Sequence, residues 1–215
     1  RNVEAIEFSD KVVSLEIADL YTNTPSKDNL DGGPGIDTVV YDKPISNYVV
    51  SLGVNGIEVS SANYSEGSDW LLNIERLQFK DKSLAFDVEG NAGIAAKTLG
   101  LVFGQEAVNV PKYMGICLDY LDNKQMTAAQ LMHEALAVRL GADAQNAEKV
   151  VAFLYERLTG MVPIQSEKDK YVSWITSGAY TADTLAVFAS ELALNPVVTQ
   201  LTGIATTGIA FEMPT

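Results

Sequence analysis

The stretch Gly32-Gly33-Pro34-Gly35-Ile36-Asp37 constrains this chain more than any other. Its glycines are free to take positive φ, so the backbone can turn sharply with its carbonyls pointing inward. Asp37 adds a hard carboxylate oxygen, and Ca²⁺ gathers about six to eight carboxylate and carbonyl oxygens. Val39 is then the apolar residue of a short strand. Nine residues earlier, Asn23-Thr24-Pro25-Ser26-Lys27-Asp28 sets Asp28 opposite Asp37 and Leu30 opposite Val39, like a decayed first copy. The candidate calcium ligands are therefore Asp28, Asp37 and the main-chain carbonyls near Gly33 and Gly35.

A second repeat frames this one. Asn2-Val3-Glu4-Ala5-Ile6-Glu7-Phe8-Ser9-Asp10-Lys11 returns 71 positions later as Asn73-Ile74-Glu75-Arg76-Leu77-Gln78-Phe79-Lys80-Asp81-Lys82. The apolar positions coincide, with a spacing of three and then two that a bulged strand accommodates. Asp10-Lys11 and Asp81-Lys82 read as corners, each followed by apolar residues at strand period, Val13 and Leu15 in one copy and Leu84 and Phe86 in the other. The chain thus opens on the tail of one β unit and contains a second whole one. Inside it, Ile36 to Tyr41 and Tyr48 to Leu52 read as strands. Asn55-Gly56 reads as the centre of a hairpin turn, and Ser60 to Asp69 as a polar surface loop.

After Glu89-Gly90-Asn91 the apolar period becomes helical. Tyr113, Ile116, Cys117, Tyr120 and Leu121 share one helix face. Thr127 to Gln130 is a capping box, with Leu131, Ala135 and Val138 inward. Val150, Phe153, Leu154 and Leu158 form a stripe that Gly160 ends. Ser166 opens a helix carrying Tyr171, Trp174 and Ile175. Thr181 caps the last long helix, with Leu185, Phe188, Ala189 and Leu192 inward. Ala95, Lys97 and Leu99 match Ala147, Lys149 and Val151 at an offset of 52, and Thr127 and Glu134 match Thr184 and Glu191 at 57. Two related helical units follow. The expected fold is α+β: a small β domain over 1–89, a degenerate calcium β-roll or sandwich-like unit, then an all-α domain of about six helices over 90–215.

Composition excludes some functions. The formal charge is −13, and residues 1–89 carry 16 acidic against 7 basic side chains. Such a surface suits cation binding and solubility, not nucleic acid. Hydrophobic residues make up 47% of the chain, enough for a sizeable core, yet no apolar run reaches membrane-spanning length. Cys117 is the only cysteine, so no internal disulfide framework exists. The pattern begins in mid-repeat at Arg1, as expected of a piece of a longer protein.

The run Asp37-Thr38-Val39-Val40-Tyr41, a polar hairpin and then Asn73-Ile74-Glu75-Arg76-Leu77-Gln78-Phe79 resembles the segment that follows the repeats of repeats-in-toxin (RTX) secreted bacterial proteins. Lys82 stands where that pattern has glycine. Tyr155 to Pro163 and Tyr171-x-x-Trp174 resemble a helical domain of unknown function attached to such segments in extracellular and S-layer-associated proteins. Tyr113 in the first helical copy has no tryptophan partner, and Gly115 interrupts it. The resemblance implies type I secretion, an extracellular or cell-surface address, and calcium shared between the loops of successive β-roll coils. It implies no reaction.

The remaining chemistry-bearing residues have plainer readings. His133, the only histidine, lies beside the apolar stripe with no nucleophile motif near it, so a surface role is expected. Cys117 lies on the stripe and reads as a small buried hydrophobe. The carboxylate pairs Asp119/Asp122 and Glu66/Asp69 have the composition of glycosidase pairs, but nothing places them in a cleft. Tyr64 and Trp70, flanking a polar loop, suit a sugar better than Tyr171 and Trp174, whose spacing suits a core. The expected function is a non-enzymatic, calcium-associated module for interaction, attachment or surface-layer assembly, with a surface protein or polysaccharide as partner. The alternatives are an accessory domain of a secreted hydrolase or protease, or a lectin. Thr202 to Thr215 is the expected place of a C-terminal export signal.

Overall fold

A computed structural model describes residues 18–53, 56–62, 67–192, 195, 197 and 206–214, and the backbone of two strands at 5–7 and 12–14. The chain divides into two compact units, residues 1–87 with 203–211 and residues 88–202 with 212–215. The first is a mixed β unit and the second a helical bundle, an α+β architecture.

Strands β1 (Ala5–Glu7) and β2 (Val12–Ser14) form a hairpin with Ile6 opposite Val13. Three short strands follow, beginning nine residues apart: β3 (Leu20–Thr22), β4 (Asn29–Asp31) and β5 (Thr38–Val40). Next come β6 (Tyr48–Gly53), β7 (Gly56–Ser61), β8 (Ser68–Leu72), β9 (Arg76–Gln78), β10 (Ser83–Ala85) and, far along the chain, β11 (Ile209–Phe211). The hairpin β9–β10 pairs Leu77 with Leu84, the same register as Ile6 with Val13 displaced by the 71 residues of the sequence echo.

Two sheets result, one ordered β11-β10-β9-β5-β3 and the other β4-β8-β7-β6. The nine-residue period makes the chain alternate between them. It runs through β3 in the first, β4 in the second and β5 in the first. After the β6–β7 hairpin it returns through β8 in the second and β9 in the first. Accordingly β3, β5 and β9 are parallel neighbours, as are β4 and β8. Strands this short hold by burying side chains between the sheets. Val39, Leu71 and Leu77 are fully buried there, with Tyr21 and Leu30 packed against them. The rings of Tyr41, Tyr48 and Phe79 fill one end of this core, their centroids 4.8 to 5.4 Å apart.

Two local expectations shift. Gly53 pairs with Gly56, so Gly56 belongs to strand β7, not to the turn that Asn55-Gly56 was expected to centre; Asn55 lies outside the described residues. The expected loop from Ser60 to Asp69 is shorter, because strand pairing runs through Ser61 and resumes at Ser68.

Among the described residues the helical unit has seven α-helices: α1 (Asn91–Phe103), α2 (Gln105–Val108), α3 (Pro111–Leu118), α4 (Ala128–Leu140), α5 (Ala147–Thr159), α6 (Gln165–Thr176) and α7 (Ala182–Ser190). A π-helical turn, Asp119–Asn123, extends α3. Complete capping boxes start α4 at Thr127 and α7 at Thr181, each contributing about 1 kcal/mol. Helix α6 begins at Gln165 without a side-chain cap, one residue ahead of the expected Ser166.

The element ends fall at offsets near those of the expected helical units. α1 and α5 each have 13 residues and end at Gly104 and Gly160, an offset of 56. The capping threonines of α4 and α7 are 54 apart. The sequence offsets of 52 and 57 miss these by about one helical turn, a slip that leaves every residue on the same face. Helix α4 packs on α7, and α1 on α5. Leu101, Val102, Met132, Leu136, Val150 and Ala186 are buried between them.

Gly115, an apparent interruption in α3, has a packing reason. A Cβ there would lie 1.8 Å from the carbonyl oxygen of Glu212. The chain's last segment runs against α3 at this point, with the Glu212 N–H donating to the Pro111 carbonyl at 3.0 Å.

Candidate functional site

The glycine turn sits between β4 and β5. Gly33 (φ 75°) and Gly35 (φ 143°) take conformations open to glycine, and a Cβ on Gly32 would lie 2.2 Å from the Asn73 carbonyl. Asp31 Oδ1 accepts from the Gly33 N–H (3.2 Å) and Asn73 Nδ2 (2.8 Å), tying the start of the turn down. At its end Asp37 is fully buried, and its Oδ1 accepts the Asp19 N–H at 2.6 Å. The Asp37 N–H donates to Glu75 Oε2 at 2.9 Å, and its carbonyl accepts from the N–H groups of Glu75 and Arg76. The glycine turn is thus stacked on the short 73–75 connection between β8 and β9.

Asp28 lies elsewhere in the coil. It closes the turn that leaves the C-terminal end of β3, and its carboxylate accepts from the Thr24 N–H (2.8 Å) and Oγ1. Asp37 lies at the N-terminal end of β5, beside Asp19 at the N-terminal end of β3, because Leu20 pairs with Thr38. Gly33, Gly35 and Asp37 therefore share one turn, while Asp28 belongs to the turn at the other end of the strands. Among the described residues no three His, Cys, Asp or Glu side chains converge as a metal site. Carboxylate and carbonyl oxygens are the right donors for calcium, but each turn offers fewer than the six to eight the ion takes. The four expected ligands are therefore divided between two turns.

The β unit also holds a buried polar bridge that sequence reading missed. Asp69, expected in a loop, lies inside β8, where its Oδ1 accepts the Asp28 N–H and its Oδ2 the Tyr41 O–H, both at 3.0 Å. Burial raises the Asp69 carboxyl above its ordinary range, against the lowering effect of these two donors. Burial, then the charge of Asp69, pushes the Tyr41 hydroxyl far up, so it stays the donor. Glu75 is likewise raised by burial, partly offset by the Asp37 N–H. Arg76 is buried in an ion pair with Asp87. Period-2 alternation in Ser68–Leu72 is the signal that would have turned Asp69 inward with Leu71.

The other candidates resolve into ordinary partners. His133 is half exposed on α4, its Nδ1 3.1 Å from Asp183 Oδ2. Cys117 is buried, and desolvation pushes its thiol up to about 12, away from nucleophile chemistry. Asp119 pairs with Lys124 at 2.7 Å and accepts from Asn123, which holds it below its usual range. Asp122 accepts from Asn91 Nδ2 at 2.8 Å. Trp70 is exposed on the outer face of β8, while Glu66 and Tyr64 lie outside the described residues. Tyr171 and Trp174 form a T-shaped pair 5.1 Å apart within an aromatic chain that continues to Tyr180 and Phe188.

Val138 and Phe188, expected inward on the helices, prove exposed, as do two residues of the expected apolar face of α3. Tyr113, Ile116 and Phe188 are nearly half exposed, and Val138 is 76% exposed. The reason is a groove of about 340 Å³ bounded by α1, α3 and α4, whose walls include Tyr113, Ile116, Cys117, Leu131, Ala135 and Val138. A second groove of about 320 Å³, bounded by α5, α6 and α7, includes Tyr171, Trp174, Leu185, Phe188, Ala189 and Leu192. At the 54-residue offset, Leu131, Glu134, Ala135 and Val138 correspond to Leu185, Phe188, Ala189 and Leu192. At 58, Tyr113 and Ile116 correspond to Tyr171 and Trp174. The two grooves are thus lined by residues at matching offsets. No helix among the described residues is long and apolar enough to cross a membrane. No protein-family model, curated protein or solved structure matches the chain.

Proposed function

We propose that this chain is a non-enzymatic module of a secreted or cell-surface bacterial protein, serving interaction, attachment or surface-layer assembly on a calcium-associated β scaffold. The nine-residue alternation of β3, β4 and β5 between two sheets is the observation that carries the reading. It is the geometry expected of a β-roll coil, and the RTX resemblance rests on the same residues. Calcium enters this proposal through two half-sites, one at Asp28 and one at Gly33, Gly35 and Asp37. Each would bind weakly, water supplying the oxygens that the turn lacks. The export route and extracellular address rest on the resemblance. The interaction role is supported by the two apolar grooves of the helical unit.

Incubating the chain with panels of polysaccharide, peptide and ester substrates should give no turnover above buffer. Hydrolysis abolished by a substitution in the chain would overturn the non-enzymatic reading. Retention on one immobilised polysaccharide, lost on substitution of Trp70, would replace it with a lectin.

A further inference from the structure

A cleft of about 450 Å³ opens in the β unit beside the 73–75 connection on which the glycine turn is stacked. Its walls are the facing ends of β6 and β7, the end of β8, that connection, and Phe86-Asp87 after β10. The backbone around it is pinned. The Gly32 N–H donates to the Leu72 carbonyl at 3.0 Å, the Glu75 N–H to the Asp37 carbonyl at 3.2 Å, and the Phe86 N–H to the Glu75 carbonyl at 2.9 Å. Asn73 takes φ 50°, uncommon outside glycine, with its side-chain amide bonded to Asp31. The cleft is therefore formed before anything enters it.

Charge and polarity select the occupant. Among the described residues, Glu75 and Asp87 are the ionisable groups of the wall, and no basic side chain joins them. Asp87 is matched by the buried Arg76. Glu75 is not matched: its Oε2 accepts the Asp37 N–H, while its Oε1 accepts from no described residue and no described lysine or arginine pairs with it. Burial raises its carboxyl, the charges of Asp37 and Asp87 add to that, and the attraction of Arg76 is the smallest influence on it. What the cleft lacks is one cation. The rest of the wall is largely apolar, with Leu52, Ile57, Leu71, Leu72, Ile74 and Phe86. No three His, Cys, Asp or Glu side chains converge here among the described residues, so an organic cation suits it better than a metal ion that takes six or more oxygens.

We propose that this cleft binds a primary ammonium group carried on an apolar stem, with Glu75 accepting its hydrogen bonds and Leu52, Leu72 and Phe86 holding its methylenes. A free alkylamine and the lysine side chain of another protein share that chemistry.

The probe is n-butylammonium, titrated into the whole chain and read from the methyl signals of Leu52, Ile57, Leu71, Leu72 and Ile74 by nuclear magnetic resonance. These signals should shift together and saturate. The uncharged twin n-butanol should bind at least about tenfold more weakly. Glu75→Gln, which keeps an acceptor for the Asp37 N–H, should weaken butylammonium at least about tenfold. Leu52 is 38% exposed, so charge can be added there without touching the buried groups. Leu52→Glu should tighten binding and Leu52→Lys weaken it, each by about two- to fivefold. Lysine blocked as its N-acetyl methylamide separates the two sources. Binding as tight as butylammonium or tighter assigns the cleft to a protein's lysine, and weaker binding to a free amine. The proposal fails if butanol binds equally, if Glu75→Gln leaves the affinity unchanged or if the two Leu52 variants behave alike. It also fails if the methyl signals do not move, or if Ca²⁺ moves them and butylammonium does not. Any of these failures leaves the non-enzymatic module standing, because that reading rests on the strand alternation and is tested by turnover.

Discussion

Replacing Tyr41 by phenylalanine isolates the bridge between the two sheets. Tyr41 follows β5 in one sheet and Asp69 lies in β8 of the other, joined by the 3.0 Å bond from the tyrosine hydroxyl to Oδ2. Phenylalanine keeps the ring against Tyr48 and Phe79, whose centroids are 4.8 and 5.1 Å away, so packing is retained and only the donor is lost. A hydrogen bond to a buried charge contributes about 1.5–3 kcal/mol, and about 2 kcal/mol is expected at pH 7. The loss should depend on pH. Burial already raises the Asp69 carboxyl in the folded state, and the Tyr41 hydroxyl lowers it, so removing that donor raises it further. A carboxyl raised by folding contributes its full stability below the unfolded value, near 3.9, and loses it as pH climbs through the folded value. The gap between wild type and variant therefore widens with rising pH, from about 1 kcal/mol near pH 3.5. Urea unfolding followed by Trp70 in a Trp174→Phe background reports the β unit. A gap below about 0.5 kcal/mol at pH 7, or one unchanged between the two pH values, would refute the bridge.

Gly115→Ala should cost about 1–3 kcal/mol, because the new Cβ meets the Glu212 carbonyl oxygen at 1.8 Å. Its signature is faster hydrogen exchange at the Glu212 amide. Gly160→Ala, with open space around it but φ at 70°, should cost about 1 kcal/mol and leave that amide protected. Thr127→Ala and Thr181→Ala should each lower the stability of the helical unit by about 1 kcal/mol in thermal unfolding followed by Trp174.

What the sequence showed and what it hid divide along physical lines. The 71-residue echo carried its hairpin register intact, because register follows the apolar positions and those coincide in both copies. The glycine turn was legible because positive φ demands a particular residue. The parallel pairings β5–β9 and β4–β8 were not, since residues 38 to 41 apart meet only after the β6–β7 hairpin is folded out of the way. Asp28 and Asp37 look equivalent in a nine-residue alignment, yet successive turns of an alternating chain fall at opposite ends of the strands. Helical periodicity located the apolar faces of α3, α4 and α7 but could not tell a face packed in the core from one lining a groove. Tyr113, Val138 and Phe188 are exposed for that reason.

Calcium dependence of stability is the most direct test of the scaffold. Extracellular modules hold Ca²⁺ with dissociation constants on the order of 10⁻⁴–10⁻³ M, and half-sites belong at the weak end of that range. With a constant near 1 mM, 10 mM Ca²⁺ would stabilise the folded β unit by about 1.4 kcal/mol. Its melting temperature, read from Trp70, would rise by about 6 °C. Magnesium should not reproduce the shift, and Asp37→Asn should remove it. An identical melting temperature in chelator and in 10 mM Ca²⁺ would contradict an ion-associated scaffold.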